Sequence, residues 1–423
     1  MNTRNALTTL TALGTLALAS SGCGGGHACH SSQSIDMALE EMCQTDAGPN
    51  QMNACTPAMG TICTVVGTGV AGLSPNGTLG TEAQLYLPQD TTIGPDGNPY
   101  FLDWNNHIIR RLEANNTVTT VAGSGELSDG DSTPESMPTV MSGPALDFRL
   151  NHPTNIEFDG QGRMLIAAWH NSSIKRVDLR TGILDTICGT GARGYMGDEG
   201  PAAMAQLNLP VGVAINPVNG QVYIADQGNQ RVRTIDGMDV IHTMTGTGMA
   251  GFSGDGMAAT MAQISNPVGQ AALPAGRIAF DTSGNLYIAD TGNHRIRKVD
   301  PSGVITTIAG NGNAGAMGDN GPATMAELNG PADVEIAPDG TIYVADTQNS
   351  CVRAISRDGM ITTVAGHCGT RGTTGDGAAP AMALLDRPFG VETDSSGNLY
   401  ISDTYNHRVR LVCLSNAGRC AHN

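Results

Sequence analysis

Between residues 331 and 366 the apolar positions come in short bursts separated by polar turns. Val334-Glu335-Ile336 precedes a Pro-Asp-Gly turn at 338–340, and Thr341-Ile342-Tyr343-Val344-Ala345 follows it. Cys351-Val352-Arg353-Ala354-Ile355, an Arg-Asp-Gly turn and Ile361-Thr362-Thr363-Val364 complete the stretch. Short runs rich in β-branched residues and bounded by Gly, Pro and Asp predict strands. The stretch therefore reads as four consecutive antiparallel strands.

The same pattern recurs. Asp-x-x-Asn ends the second strand at Asp103/Asn106, Asp226/Asn229, Asp290/Asn293, Asp346/Asn349 and Asp403/Asn406, and a sixth copy, Ala168/Asn171, lacks the Asp. A proline precedes each unit: Pro88, Pro153, Pro210, Pro267, Pro331 and Pro388, spaced by 57 residues three times and by 64 or 65 twice. Two markers thus count six units of four strands, which predicts an all-β, six-bladed propeller. The last unit, Pro388 to Leu414, has only three strands. Its fourth is expected from the other end of the chain, where Ile62-Cys63-Thr64-Val65-Val66-Gly67 matches Ile305-Thr306-Thr307-Ile308-Ala309-Gly310. That strand would close the ring and remove the free edge.

Asn285-Leu286-Tyr287-Ile288-Ala289-Asp290-Thr291-Gly292-Asn293-His294-Arg295-Ile296-Arg297-Lys298-Val299 resembles the NHL repeat, and the resemblance extends over roughly residues 61 to 414. It implies a propeller. It does not choose a ligand, because such propellers include protein-binding and RNA-binding modules and have six-bladed enzyme relatives that use a tunnel metal.

Charge narrows the choice. The net charge of −17 argues against nucleic acid, which requires a dense cationic surface. Ten cysteines suit an oxidising compartment. The uncharged run Asn5 to Ser21 has signal-peptide length, and Ser21-Gly22-Cys23 resembles a bacterial lipobox, which implies lipidation of Cys23. The expected organisation is a signal peptide (1–22), a cysteine-containing linker (23–60), the propeller (61–414) and a tail (415–423). The expected location is the bacterial cell envelope, periplasmic or surface-exposed, with a lipid as the only membrane contact and the protein a monomer. Cys29, Cys43, Cys55 and Cys63 cluster in the leader region, and Cys351 with Cys368 and Cys413 with Cys420 are disulfide candidates, which leaves Cys188 as the odd thiol.

The repeated Asp and Asn are expected to staple their turns. The cation seven residues after each Asp position (Arg110, Lys175, Arg233, Arg297, Arg353, Arg410) is expected to find its partner within the blade. Asp198, Asp255, Asp319 and Asp376 lie in Gly-rich loops, each offering too few carboxylates for calcium. Apolar anchors at Leu85, Leu150, Leu207, Ile264, Leu328 and Leu385 should pin those loops.

Departures from the repeat are the places to look for function. Counted from each proline, positions two and four of the innermost strand should face the tunnel. They carry Gly212/Ala214 in blade three but Asp90, Asn155/Glu157, Asp333/Glu335 and Glu392 elsewhere. Converging carboxylates repel unless a cation or a proton intervenes, so Ca²⁺ in the tunnel is a candidate cofactor. The two tryptophans, Trp104 and Trp169, share one slot in blades one and two, and Tyr405 is near it in blade six; they either form an exposed partner-binding patch or pack under the long loops. No catalytic triad stands out. The leading expectation is a non-enzymatic binding module for a protein, peptide or glycan. The alternative is a metal-dependent hydrolase or lyase at an acidic tunnel mouth, with Asp90, Glu157, Asp333 and Glu335 as ligands.

Overall fold

The computed structural model describes residues 55–126, 142–269 and 271–421. Six antiparallel sheets surround one axis. Their innermost strands touch in a closed cycle, from Pro88–Ile93 through Pro153–Phe158, Pro210–Ile215, Ile278–Phe280, Asp333–Ile336 and Gly390–Thr393 back to the first. The chain is therefore a six-bladed propeller. Blade five runs Asp333–Ile336, Ile342–Asp346, Cys351–Ile355, Met360–Ala365, in sequence and in space.

Blades two to five also have a short fifth strand (Ser142–Pro144, Gly200–Pro201, Met257–Ala258 and Gly321–Pro322) on the outer edge. It comes from the segment that links each blade to the one before. Such a segment pairs with backbone groups that a four-stranded blade would leave open.

Closure is as expected. Ile62–Val66 pairs with Arg408–Val412, with Ile62 opposite Val412 and Thr64 opposite Arg410. The join is reinforced on both sides. A Cys55–Cys63 disulfide ties the incoming chain to the closing strand, and Cys413–Cys420 holds the outgoing chain in a turn. From that turn Arg419 crosses to blade one, donating to Asn116 Oδ1 (2.7 Å) and to the carbonyls of Leu112 (3.1 Å) and Glu113 (3.0 Å). The segment expected as a tail is thus an ordered clasp as far as Ala421.

The repeat builds the joints between elements. Asp290 accepts from the Ser265 amide (2.8 Å) and from Asn293 Nδ2, while Asn293 Nδ2 reaches the Gly251 carbonyl (2.7 Å). The same triangle forms at Asp226, Asp346 and Asp403. The following arginine joins that carboxylate to the loop aspartate. Arg297 meets Asp290 at 3.1 Å and Asp255 at 2.8 Å, and Arg353 meets Asp346 at 3.4 Å and Asp319 at 2.6 Å. Arg233 pairs likewise with Asp226 and Asp198, and Arg410 with Asp403 and Asp376. A fully buried guanidinium is tolerable only with such pairing. All six apolar anchors are buried beside these loops.

Candidate functional site: the axis and its mouth

Blade four carries the residue that organises the axis. Its inner strand begins late, after an insertion, and Arg277 lies where blade three has Gly212 and blade five has Asp333. The alignment follows from the backbone: Ala289 donates to the Arg277 carbonyl, and Gly212 and Asp333 face the equivalent alanines, Ala225 and Ala345. Arg277 is 1% exposed and bonds to four other blades. Nη1 donates to Asp90 Oδ1 (2.9 Å), Asp333 Oδ2 (3.2 Å) and the Phe389 carbonyl (3.1 Å). Nη2 donates to the carbonyls of Gln89 (2.8 Å) and Thr154 (2.5 Å). A side chain from blade four that bonds to blades one, two, five and six has its guanidinium across the axis.

The remaining polar groups of this tier stitch neighbouring inner strands together. Asp90 accepts from the Ile156 amide and from Asn155 Nδ2, both at 2.9 Å. Asn155 Oδ1 accepts from the Val213 amide (2.7 Å), and Asp333 Oδ2 from the Val391 amide (3.0 Å). The inner edge of each of these blades is thereby satisfied by its neighbour. Burial raises both aspartates, against the lowering charge of Arg277; Asp333 is pushed up to about 6.

The second tier is built of glutamates. Glu157, Glu335 and Glu392 project from blades two, five and six, each with a little accessible surface. Thr393 Oγ1 donates to Glu335 (2.8 Å), and Thr92 Oγ1 and the Ile93 amide donate to Glu392 (both 3.3 Å). Burial lifts Glu157 to about 7, with the charges of Asp90 and Asp333 adding to it. Glu335 rises to about 8, chiefly through burial and then the charge of Glu157. Glu392 stands well above its usual range through burial and the charges of Glu335 and Glu157.

The residues of the expected hard-cation site are divided between these two tiers. Asp90 and Asp333 are committed to Arg277, and Asn155 to two backbone-linked bonds. Among the described residues no three His, Cys, Asp or Glu side chains are grouped to hold a metal ion. In one tier the converging carboxylates meet an arginine, and in the other burial raises them above the usual carboxylate range.

Of the two readings of the aromatic slot, packing is the one the side chains adopt. Trp104 is 8% exposed and Trp169 1%, because three histidines pack around them. His152 lies 4.5 Å from both Trp104 and His107 between ring centroids, and Trp169 stacks on His170 at 4.1 Å. Trp169 Nε1 donates to Gln227 Oε1 (3.2 Å), whereas Trp104 Nε1 is buried without an acceptor. Tyr405 is half-buried, with the Arg387 guanidinium 4.0 Å from its ring centre. These side chains wall the mouth of the axis instead of projecting from it.

Histidines also join the blades. The residue after each Asn of the turn is left-handed, with φ near 54° at His107 and 52° at His407. His107 Nδ1 accepts the His152 amide (3.2 Å), His294 the Gly330 amide (3.0 Å) and His407 the Leu87 amide (3.1 Å), each in the next blade. Gln230 does the same with its Oε1 toward Asn266 (2.7 Å). An accepting Nδ1 must be unprotonated. Burial holds His107 and His407 down at about 4 and His152 at about 2.

Above Arg277 the insertion covers the mouth. Leu273 and Ala275 pack with Ala332, Phe389 and Tyr405. Beside them is a cavity of about 210 Å³, lined by Leu273, Ala275, Ala332 and Phe389 and rimmed by Asn329 and Gln348.

The family model for the NHL repeat matches residues 207–235, 275–299 and 328–355, which are turns and strands of blades three, four and five. The chain carries NHL repeats. The chloroplastic protein Suppressor of quenching 1 of Arabidopsis thaliana is 27% identical over 78% of this chain and 30% of its own length. Teneurin-3 of Mus musculus is 30% identical over 51% of this chain and 8% of its own. The NHL chain therefore spans less than a third of these curated relatives. A solved structure described as an auxiliary nutrient binding protein from Bacteroides thetaiotaomicron superposes with a TM-score of 0.57 at 17% identity, over 83% of this chain and 75% of that one. That likeness is one of fold.

Lipidation at Cys23 and the signal peptide lie outside the described residues. Cys351–Cys368 and Cys413–Cys420 are bonded, and Cys188 is a buried free thiol raised to about 12 by burial. Sequence reasoning missed Arg277. Counting back twelve residues from the alanine of Tyr-Ile-Ala-Asp in blade four reaches it, just as twelve back from Ala345 reaches Asp333.

Proposed function

We propose that the protein is an extracytoplasmic, lipid-anchored binding module that takes a protein, peptide or glycan on the turn face, at the closed mouth of its axis. The observation that carries this reading is the 210 Å³ cavity beside the insertion, lined by Leu273, Ala275, Ala332 and Phe389. Ligand pockets are concave and mostly apolar with a few polar groups, and usually span roughly 300–1,000 Å³. A smaller cavity suits one anchoring group of a larger ligand that lies across the face. Three disulfides among the described residues favour an oxidising compartment. The nutrient-binding description of one structural neighbour and the extracellular-type cysteine usage point in the same direction.

The test is a screen of peptide and glycan arrays against residues 55–423, with Gln348→Trp as the occluding variant. Gln348 is half-buried on the cavity rim, so the indole would fill it without touching the core. A ligand that loses at least tenfold in affinity to the variant, at unchanged thermal midpoint, supports the reading. Ligands indifferent to the substitution, or chemically turned over by the protein, contradict it.

A further inference from the structure

Methionine is ordinarily a core filler, but here it lies on the outside. Among the described residues ten methionines are more than half exposed, and Met164 is the buried one, at 0%. Four of them hold one place in the repeat: Met204, Met261, Met325 and Met382 each end the short 3-10 turn between blades and are 64–74% exposed. In blades one and two the same place holds Glu82 and Asp147, which are also exposed. A charged residue is accepted there, so neither packing nor the turn requires a thioether. The turn's buried residue is its first alanine, as at Ala202 and Ala323, and not the methionine.

Nothing exposed competes with these sulfurs as a soft nucleophile among the described residues. Six of the cysteines are in disulfides, and Cys188 is buried. A methionine on each of four successive blades spreads the thioethers around the ring at roughly 60° intervals.

We propose that this methionine rim is a modification surface that consumes two-electron, oxygen-transferring oxidants of the hypohalous acid and peroxide class. The thioether sulfur gives up two electrons and gains one oxygen. The oxidant leaves as halide plus a proton, or as water in the case of a peroxide. The product is methionine sulfoxide, which dedicated reductases reverse. Oxidation usually harms proteins by making a buried thioether polar. Here the oxidised positions are already solvated, so the fold absorbs the change. This inference does not depend on the ligand proposed above.

The experiment treats residues 55–423 with graded hypochlorous acid and maps oxygen uptake by peptide mass, with thermal midpoint as the second readout. The exposed methionines should be oxidised first, one oxygen each, with the midpoint moved by less than about 2 °C and Met164 untouched. The quadruple variant Met204→Leu, Met261→Leu, Met325→Leu, Met382→Leu should consume four fewer equivalents before damage begins. It should also protect a co-dissolved oxidation-sensitive enzyme less well. Oxidation of Met164 alongside the rim, a collapsing midpoint at the first equivalents, or equal consumption by the variant would overturn the proposal.

Discussion

Two tiers of the same axis face the same problem and solve it differently. In the upper tier Asp90 and Asp333 converge and share the guanidinium of Arg277. In the lower tier Glu157, Glu335 and Glu392 converge, and burial with mutual repulsion raises all three above the usual glutamate range. The comparison teaches that acidic residues converging on one propeller axis can be accommodated in more than one way. A partner can come from any blade, including one whose own repeat has been displaced by an insertion.

The largest expected effect comes from removing the upper-tier cation. Arg277→Met leaves two buried carboxylates unpaired and should cost about 3–5 kcal/mol at pH 7, read by chemical denaturation. The deficit should narrow at pH 5, because Asp333, raised to about 6, then takes up a proton.

The lower tier should respond with the opposite sign. Unfolded glutamate ionises near its usual value, whereas folded Glu157 and Glu335 hold their protons to about 7 and about 8. Their favourable contribution is complete below the unfolded value and is lost as pH rises through the folded ones. Glu157→Gln with Glu335→Gln should therefore stabilise the protein at pH 8.5, on the order of 1–3 kcal/mol, and change little at pH 4.

The rim histidines refuse protons that the lower tier keeps. Folded His107 and His407 stay neutral down to about 4, so the unfolded chain takes up protons first as pH falls from about 6.5. Stability from these groups is present above that value and lost on the way to 4. His107→Gln with His407→Gln, which copies the Gln230 joint, should remove about 1–2 kcal/mol of that acid sensitivity. The difference between variant and parent denaturation curves across pH 7 to 4 measures it.

The smallest effect is expected where the repeat has lost its charge network. Lys175 takes the arginine's place in blade two, where Ala168 replaces the Asp, and it bonds to Thr186 Oγ1 (3.1 Å). Lys175→Met should change stability by less than about 1 kcal/mol, with thermal melts as the readout.

Much of this was legible in the chain. The six Pro and Asp-x-x-Asn marks gave the blade number because each is tied to a local turn, and the unpaired strand at Ile62–Val66 gave the closure. The charge network was visible only in parts. Arg353 and Asp319 were read as separate features of a strand and a loop, and it is the fold that brings them to 2.6 Å. The tryptophan slot was found and its burial was one of two readings, but not the cause of that burial, since His152 reaches it from the loop before the next inner strand. Arg277 was hidden by the insertion, which displaces it from the proline used as the origin of the count.

The most direct test of the two-tier axis is a carboxyl-carbon NMR titration of the uniformly labelled protein between pH 4 and 9. The account predicts two glutamate carboxyls titrating near 7 and 8, both absent from Glu157→Gln with Glu335→Gln, and a third, Glu392, also well above the usual glutamate range. Glutamates that all titrate near 4.5 in the folded protein would contradict it.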